Sequence, residues 1–159
     1  MTAESVRLAV AQDGAEIGRL LDAFNREYGD PTPGPRALAA RIVELLQAGE
    51  IDVLLIESEA AADRPAGLAA LRFRPAIWTN ALECYLAELY VVPAHRGHGL
   101  GRRLMLAAID FARARGADRM DLGTSEADVV ARALYESLGF VNRERPPGGP
   151  VMYVYEREL

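Results

Sequence analysis

The stretch "ELYVVPAHRGHGLGRRLM", Glu88 to Met105, restricts the fold more than any other part of the chain. An apolar strand runs into a loop with glycines at 97, 99 and 101, and a helical apolar pattern begins at once. The strand, "ALECYLAELYVV" (Ala81 to Val92), is apolar on both faces near its end, which fits a central strand covered on both sides. The strand, loop and helix lead into a further strand pattern, "DRMDLGT" (Asp118 to Thr124). Such a unit closes as a right-handed parallel crossover. The chain must therefore build a sheet containing a parallel pair.

The remaining periodicities place elements around that unit. "VRLAV" (Val6 to Val10) alternates as a strand. Asp13 reads as the N-cap of a helix, with Glu16 three residues on as in a capping box. Ile17, Leu20, Leu21 and Phe24 form that helix's apolar face. "YGDPTPGP" (Tyr28 to Pro35) breaks it. A second helix starts near Pro35, carries Leu38, Ile42, Leu45 and Leu46, and stops at Gly49. Strands are expected at Ile51 to Ser58 and Gly67 to Arg74, joined by a turn at "AADRPAG" (Ala61 to Gly67). The glycine-loop helix runs to about Arg115. A later helix, "ADVVARALYESLGF", is closed by Gly139, and "VMYVYERE" (Val151 to Glu158) reads as a final strand. With a short strand at "FVN", the order is β-α-α-β-β-β-α-β-α-β-β. The fold class is α/β: a mixed central sheet of about six to seven strands with helices on both faces. No repeat or linker divides residues 1–159, which fit a single domain.

Composition excludes several function classes. A formal net charge of -5 gives no general attraction for nucleic acid. One cysteine and two histidines offer no metal-ligand spacing. No apolar run approaches the roughly 20 residues of a membrane span. "MTAESVRLAV" lacks the pattern of a signal peptide, so a cytoplasmic location is expected. Cys84, mid-strand among apolar residues, reads as core. His95 and His98 have no acidic partner in sequence and receive no proton-transfer role.

The glycine loop reads as an anion site. Glycines let a ligand approach the backbone closely, and the first N–H groups of a helix are unpaired and partly positive. Arg102 and Arg103 oppose the dipole of an empty helix start. A bound phosphate or pyrophosphate reverses that sign, and Arg96 adds a donor fork. A solvated arginine face is the plain alternative. No Gly-Lys-Ser/Thr follows, so this is not a nucleotide P-loop, and the glycine spacing differs from the dinucleotide fingerprint.

The hexapeptide Arg96-Gly-His-Gly99-Leu-Gly101 resembles the Arg/Gln-x-x-Gly-x-Gly/Ala signature of the GNAT superfamily of acyl-CoA-dependent N-acyltransferases. "ARALYESLGF" (Ala131 to Phe140) resembles the family's later helix and following strand, and the element order is similar over nearly the whole chain. The resemblance implies acetyl-CoA as cofactor. It implies pyrophosphate held by Arg96, Gly97, His98, Gly99, Leu100 and Gly101, with Arg102 at the helix start. Leu89, Tyr90 and Val91 would offer backbone to the pantetheine arm, which can pair like an added strand. The two parallel strands, "LAELYVV" and "DRMDLGT", would splay to admit it.

The resemblance also makes Tyr135 the candidate general acid for the departing thiolate, with packing as the alternative. Asp128 stands where many relatives carry an asparagine on the cofactor. It lacks the amide donor, and the plain alternative is a carboxylate satisfying the helix dipole. Glu88 is the first candidate for general base. Its expected strand-face neighbours are Leu82, Cys84, Leu86, Tyr90 and Val92. Glu83 and Asp121 compete, and an arginine ion pair is the alternative role. Glu27, Tyr28, Asp30 and Trp78 are candidates for holding an amine by charge and cation–π contact, although each also reads as an ordinary turn or packing residue.

The leading expectation is an N-acetyltransferase moving acetyl directly to a primary amine of a small molecule or peptide. A non-catalytic coenzyme A sensing module and a nucleotide-binding regulatory domain stay open. Neither nucleic acid nor membrane is an expected partner. The family allows a homodimer, though no sequence feature marks an interface.

Overall fold

A computed structural model describes residues 5–58 and 64–159. The described residues fall into two compact units, one within Met1–Leu122 and the other Gly123–Leu159.

The first unit is built on a five-stranded sheet in the order β1-β2-β3-β4-β5. The strands are β1 (Val6–Leu8), β2 (Asp52–Glu57), β3 (Pro65–Pro75), β4 (Leu82–Val91) and β5 (Ala117–Asp121). The first four pair antiparallel, and β4 pairs β5 in parallel. Helices α1 (Gly14–Tyr28) and α2 (Pro35–Ala48) lie between β1 and β2, and α3 (Leu100–Ala114) crosses from β4 to β5. The turn expected at Ala61 to Gly67 lies partly outside the described residues. From Pro65 the chain is already in β3.

Period-two burial sorts the strands between two layers. Val53, Leu55, Leu68, Ala70 and Tyr90 join Ile17 and Leu20 of α1 and Ile42 and Leu45 of α2 in one cluster. The alternate residues Leu54, Ile56, Ala69, Leu71, Cys84 and Leu86 are buried outside that cluster. They face α3, whose Phe111 meets Phe73 of β3 at 6.2 Å between ring centroids.

Two glycines set the approach of α1 to α2. A Cβ on Gly18 would lie 2.4 Å from the Pro35 carbonyl oxygen and 2.7 Å from the Ala39 nitrogen. A Cβ on Gly14 would lie 2.5 Å from a Val43 methyl. Missing side chains thus let the two helices pack nearly backbone to backbone.

Two local expectations are corrected. Asp13 stands at the N-cap of α1, but its carboxylate does not cap that helix. It accepts two bonds from Arg7 at 2.8 Å and one from the Val10 N–H at 2.8 Å. Glu16 reaches Arg19 and Arg64 rather than closing a capping box. Guanidinium forks hold these carboxylates, and such charge-assisted bonds outweigh neutral caps.

The second correction concerns Glu88. Leu71 pairs with Leu86 and Ala70 with Glu88, so Ala87 is an extra residue that bulges β4. A bulge moves everything beyond it to the opposite face. Cys84 and Leu86 lie toward α3, whereas Glu88 and Tyr90 lie toward α1 and α2. The expected single face running from Leu82 to Val92 does not exist.

In the second unit, α4 (Val129–Ser137) is followed by Gly139, which has a left-handed φ of 87°. Its N–H bonds the Glu136 carbonyl. The expected sheet of six to seven strands is corrected to five among the described residues. The strand expected at Val151 to Glu158 is reduced to one bridge, Arg143 with Val151. A β-forming sequence becomes a strand only against a partner, and Tyr153, Val154 and Tyr155 are all exposed.

Candidate functional site

β4 pairs with β5 from Leu82 to Tyr85 and then runs on to Val91 without it. The Val92 N–H bonds Ala66 of the segment leading along β3, so backbone groups directed away from β3 recur at Val91 and Leu89. Among the described residues no strand pairs with these groups from Leu86 to Val91. β5 ends at Asp121, opposite Tyr85, so β4 alone continues toward the loop and no second strand diverges from it among the described residues.

The edge ends at the glycine loop. After a short 3₁₀ turn (Pro93–His95), Gly97 and Gly99 take φ of 82° and 79°, the left-handed region that glycine enters at no steric cost. A Cβ on either would meet nothing within 4 Å, so the space beside the backbone is open. Gly99 is the N-cap of α3 and supplies no side chain, so the first N–H groups of the helix keep no side-chain cap. Leu100 is buried and anchors the helix start, while His98, Arg102 and Arg103 are exposed. No acidic residue stands in the first turn of α3. The N–H groups of the helix N-terminus therefore present partial positive charge to the loop.

Arg96 occupies a different place from the one expected. Its Nη1 and Nη2 donate to the two carboxylate oxygens of Glu27 at 2.6 and 2.7 Å, and Nε donates to the Val91 carbonyl at 2.9 Å. The guanidinium also lies 5.6 Å from the centroid of the Tyr90 ring. The Arg96 hydrogen bonds hold the Glu27 carboxyl below the usual carboxylate range. Burial first, and the Glu27 charge second, push the Tyr90 phenol up. Glu27, expected to hold an amine, is instead committed to Arg96 and Tyr90.

The other acceptor candidates divide. Tyr28 packs edge-on against Phe24 at 5.2 Å and is otherwise exposed, beside exposed Asp30. Trp78 is 91% exposed in the β3–β4 loop, at the opposite end of β4 from the glycine loop. Ten residues of strand, roughly 30 Å, separate the two ends. The structure does not bring Trp78 together with Glu27.

Glu88 is half-buried on the α1/α2 face, and no described basic side chain pairs with it. Burial raises its pKa above the ordinary glutamate value. Its competitors are occupied. Glu83 accepts from Arg74 at 2.7 Å, and Asp121 lies 3.7 Å from the same guanidinium. Cys84 is fully buried, and desolvation pushes its thiol up to about 11, which fits core rather than nucleophile.

In the second unit, Asp128 caps α4, its Oδ1 accepting the Ala131 N–H at 3.2 Å. That bond satisfies one N–H of the helix start. Tyr135 is the buried residue of α4, with its ring edge-on to Phe140 at 6.0 Å.

The group missed in the sequence is Glu27–Arg96–Tyr90. Sixty-nine residues separate Glu27 from Arg96, so no spacing could join them. One signal was present: a glutamate in the last turn of a helix opposes the dipole and calls for a cation.

A parallel pair that ends short of a glycine loop at a helix start is an α/β arrangement suited to an extended ligand with an anionic group. The GNAT acetyltransferase family model matches residues 18–140, and the chain belongs to that family. Over 139 residues it is 31% identical to an uncharacterised N-acetyltransferase of Escherichia coli K12, covering 85% of this chain and 80% of that one. A crystal structure of an Arthrobacter sp. FB24 protein assigned as an acetyltransferase superposes with a TM-score of 0.86 at 40% identity. That match covers 100% of this chain and 98% of the other. A mycothiol acetyltransferase of Thermobispora bispora is 50% identical over 58 residues. That match is 35% of this chain and only 20% of the relative. No helix among the described residues is long and apolar enough to cross a membrane. None of their His, Cys, Asp and Glu side chains form a metal-binding cluster.

Proposed function

We propose that this protein is an N-acetyltransferase that moves the acetyl group of acetyl-CoA directly to a primary amine. The observation that carries the reading is the open edge of β4 running into a loop of two left-handed glycines with vacant space beside them. An extended, amide-bearing arm can pair with such an edge, and a pyrophosphate fits the uncapped start of α3. Leu89 and the Val91 N–H offer the pairing groups, and Gly97 to Arg102 offer the anion site.

In the proposed reaction the amine nitrogen attacks the thioester carbonyl carbon. The carbon–nitrogen bond forms, and collapse of the tetrahedral adduct breaks the carbon–sulfur bond. The ammonium proton goes to Glu88, directly or through water. The unpaired, desolvated carboxylate is a stronger base than an ordinary glutamate. The thiolate takes its proton from the Tyr135 phenol. Family motif position and burial support that role. Asp128, engaged with its own helix, is assigned to capping α4 rather than to the cofactor. Tyr28 and Asp30, exposed where α1 ends, are the proposed acceptor contacts. The chain is proposed to act as a single functional domain.

The test is thiol release from acetyl-CoA against small amines, amino acids and peptides. Turnover on an amine supports the reading. Tight coenzyme A binding with no turnover on any amine would indicate a sensing module. Stabilisation by ATP or NAD but not by coenzyme A would indicate a nucleotide-binding regulatory domain.

A further inference from the structure

Arg96 is the residue that a reading by motif assigns to phosphate, yet its side chain is turned to protein. Of its five N–H groups, two are spent on Glu27 and one on the Val91 carbonyl. Glu27 lies in the last turn of α1, and Val91 is the final residue of the open β4 edge. Arg96 itself begins the glycine loop. One guanidinium thus joins three parts: the helix that precedes the α1–α2 connection, the strand edge, and the loop. Tyr90 closes the group from below, its ring under the guanidinium and its phenol on the Glu27 carboxylate.

We infer that Glu27 and Arg96 are positioning residues that hold the glycine loop against the end of β4, so that loop amides and strand edge face one ligand. The inference rests on the coenzyme A reading above. It carries a stereochemical corollary: Val91's carbonyl is closed by Arg96, so an arm paired along this edge must end its ladder before that oxygen. It also couples the two substrates, because the helix that holds the loop ends at Tyr28, two residues before Asp30.

Charge gives the test its sign. Glu27→Gln removes a negative charge near an anion site and frees Arg96. Simple electrostatics, or a direct phosphate role for Arg96, predicts tighter coenzyme A binding. Positioning predicts weaker binding, by about tenfold for a coupling of ordinary size. Arg96→Lys keeps the charge but loses the planar fork and should weaken binding similarly. Calorimetric titration with coenzyme A reads the affinities. Amide hydrogen exchange over residues 96–103, in protein without ligand, reads the loop.

The expected result is faster loop exchange and weaker binding in both variants, with the double variant no worse than either. Equal or tighter binding in Glu27→Gln, or exchange unchanged from the parent, overturns the inference. A parent protein that binds no coenzyme A would remove the donor reading, while exchange would still decide whether Glu27 holds the loop.

Discussion

At the scale of single residues, Glu88 and Tyr135 carry the proposed chemistry, and their surroundings make separable predictions. Burial raises the Glu88 pKa, so the carboxyl keeps its proton to a higher pH than an ordinary glutamate. A base must be deprotonated, so kcat/KM should rise with pH through that elevated value, and Glu88→Gln should flatten this limb. Stability runs the other way. A raised folded-state pKa contributes stability that is full below the unfolded value and is lost as pH rises through the folded one. Glu88→Gln, a mimic of the protonated form, should therefore raise the melting temperature near pH 7 and leave it unchanged near pH 3. Thermal melts at the two pH values check this. Tyr135→Phe should lower kcat by about 10²- to 10⁴-fold with coenzyme A affinity retained. Unchanged kcat would return Tyr135 to its packing role against Phe140. Both residues are candidates from the sequence alone; their environments come only from the fold. Nothing in "LAELYVV" announces that Ala87 is an extra residue, because a bulge is set by the partner strand. Alternation alone therefore sets Leu82, Cys84 and Leu86 on the Glu88 face, whereas only Tyr90 and Val92 share it.

At the scale of elements, two glycine positions make opposite demands. Gly99 has a left-handed backbone and room for a side chain, so Gly99→Val adds strain of about 1–2 kcal/mol without a clash in the folded protein. The variant should fold, by circular dichroism, and lose coenzyme A binding, because the vacancy is filled where the ligand would approach. Gly18 is ordinary helical backbone with no room. Helix propensity alone favours Gly18→Ala by about 1 kcal/mol. Contact with the Pro35 carbonyl and the Ala39 nitrogen opposes it. Net destabilisation of about 1–3 kcal/mol in urea titration is expected. The helices and the strands up to β5 were legible because their apolar periods are long. The close approach of α1 to α2 was not, since a glycine inside a helical pattern does not say what lies above it. The same limit explains Val151 to Glu158. Its alternation of valine and tyrosine is a strand pattern, but pairing depends on an edge that local sequence does not supply.

At the scale of the whole molecule, the formal charge of -5 coexists with a locally positive loop at the start of α3. A field of mixed sign of this kind suits a small anion better than a polyanion. Salt should therefore weaken coenzyme A binding, with a modest slope, as titrations across ionic strength would reveal. Binding should also stabilise the fold. Ligand at a hundred times its dissociation constant contributes about 2.7 kcal/mol, equivalent to roughly 5–10 °C in melting temperature for a chain of this size. Scanning calorimetry with and without coenzyme A measures it directly. Family membership, too, could be read from the sequence, because the loop motif and "ALYESLGF" both lie in continuous segments. The acceptor could not, since its candidates are scattered and the structure divides them. The open stretch of β4 has one more consequence. Unpaired strand edges invite edge-to-edge association with other chains, and folded proteins ordinarily cover them. On the proposed function the cover is a ligand that comes and goes, so the protein's resistance to self-association should follow how much of that ligand surrounds it.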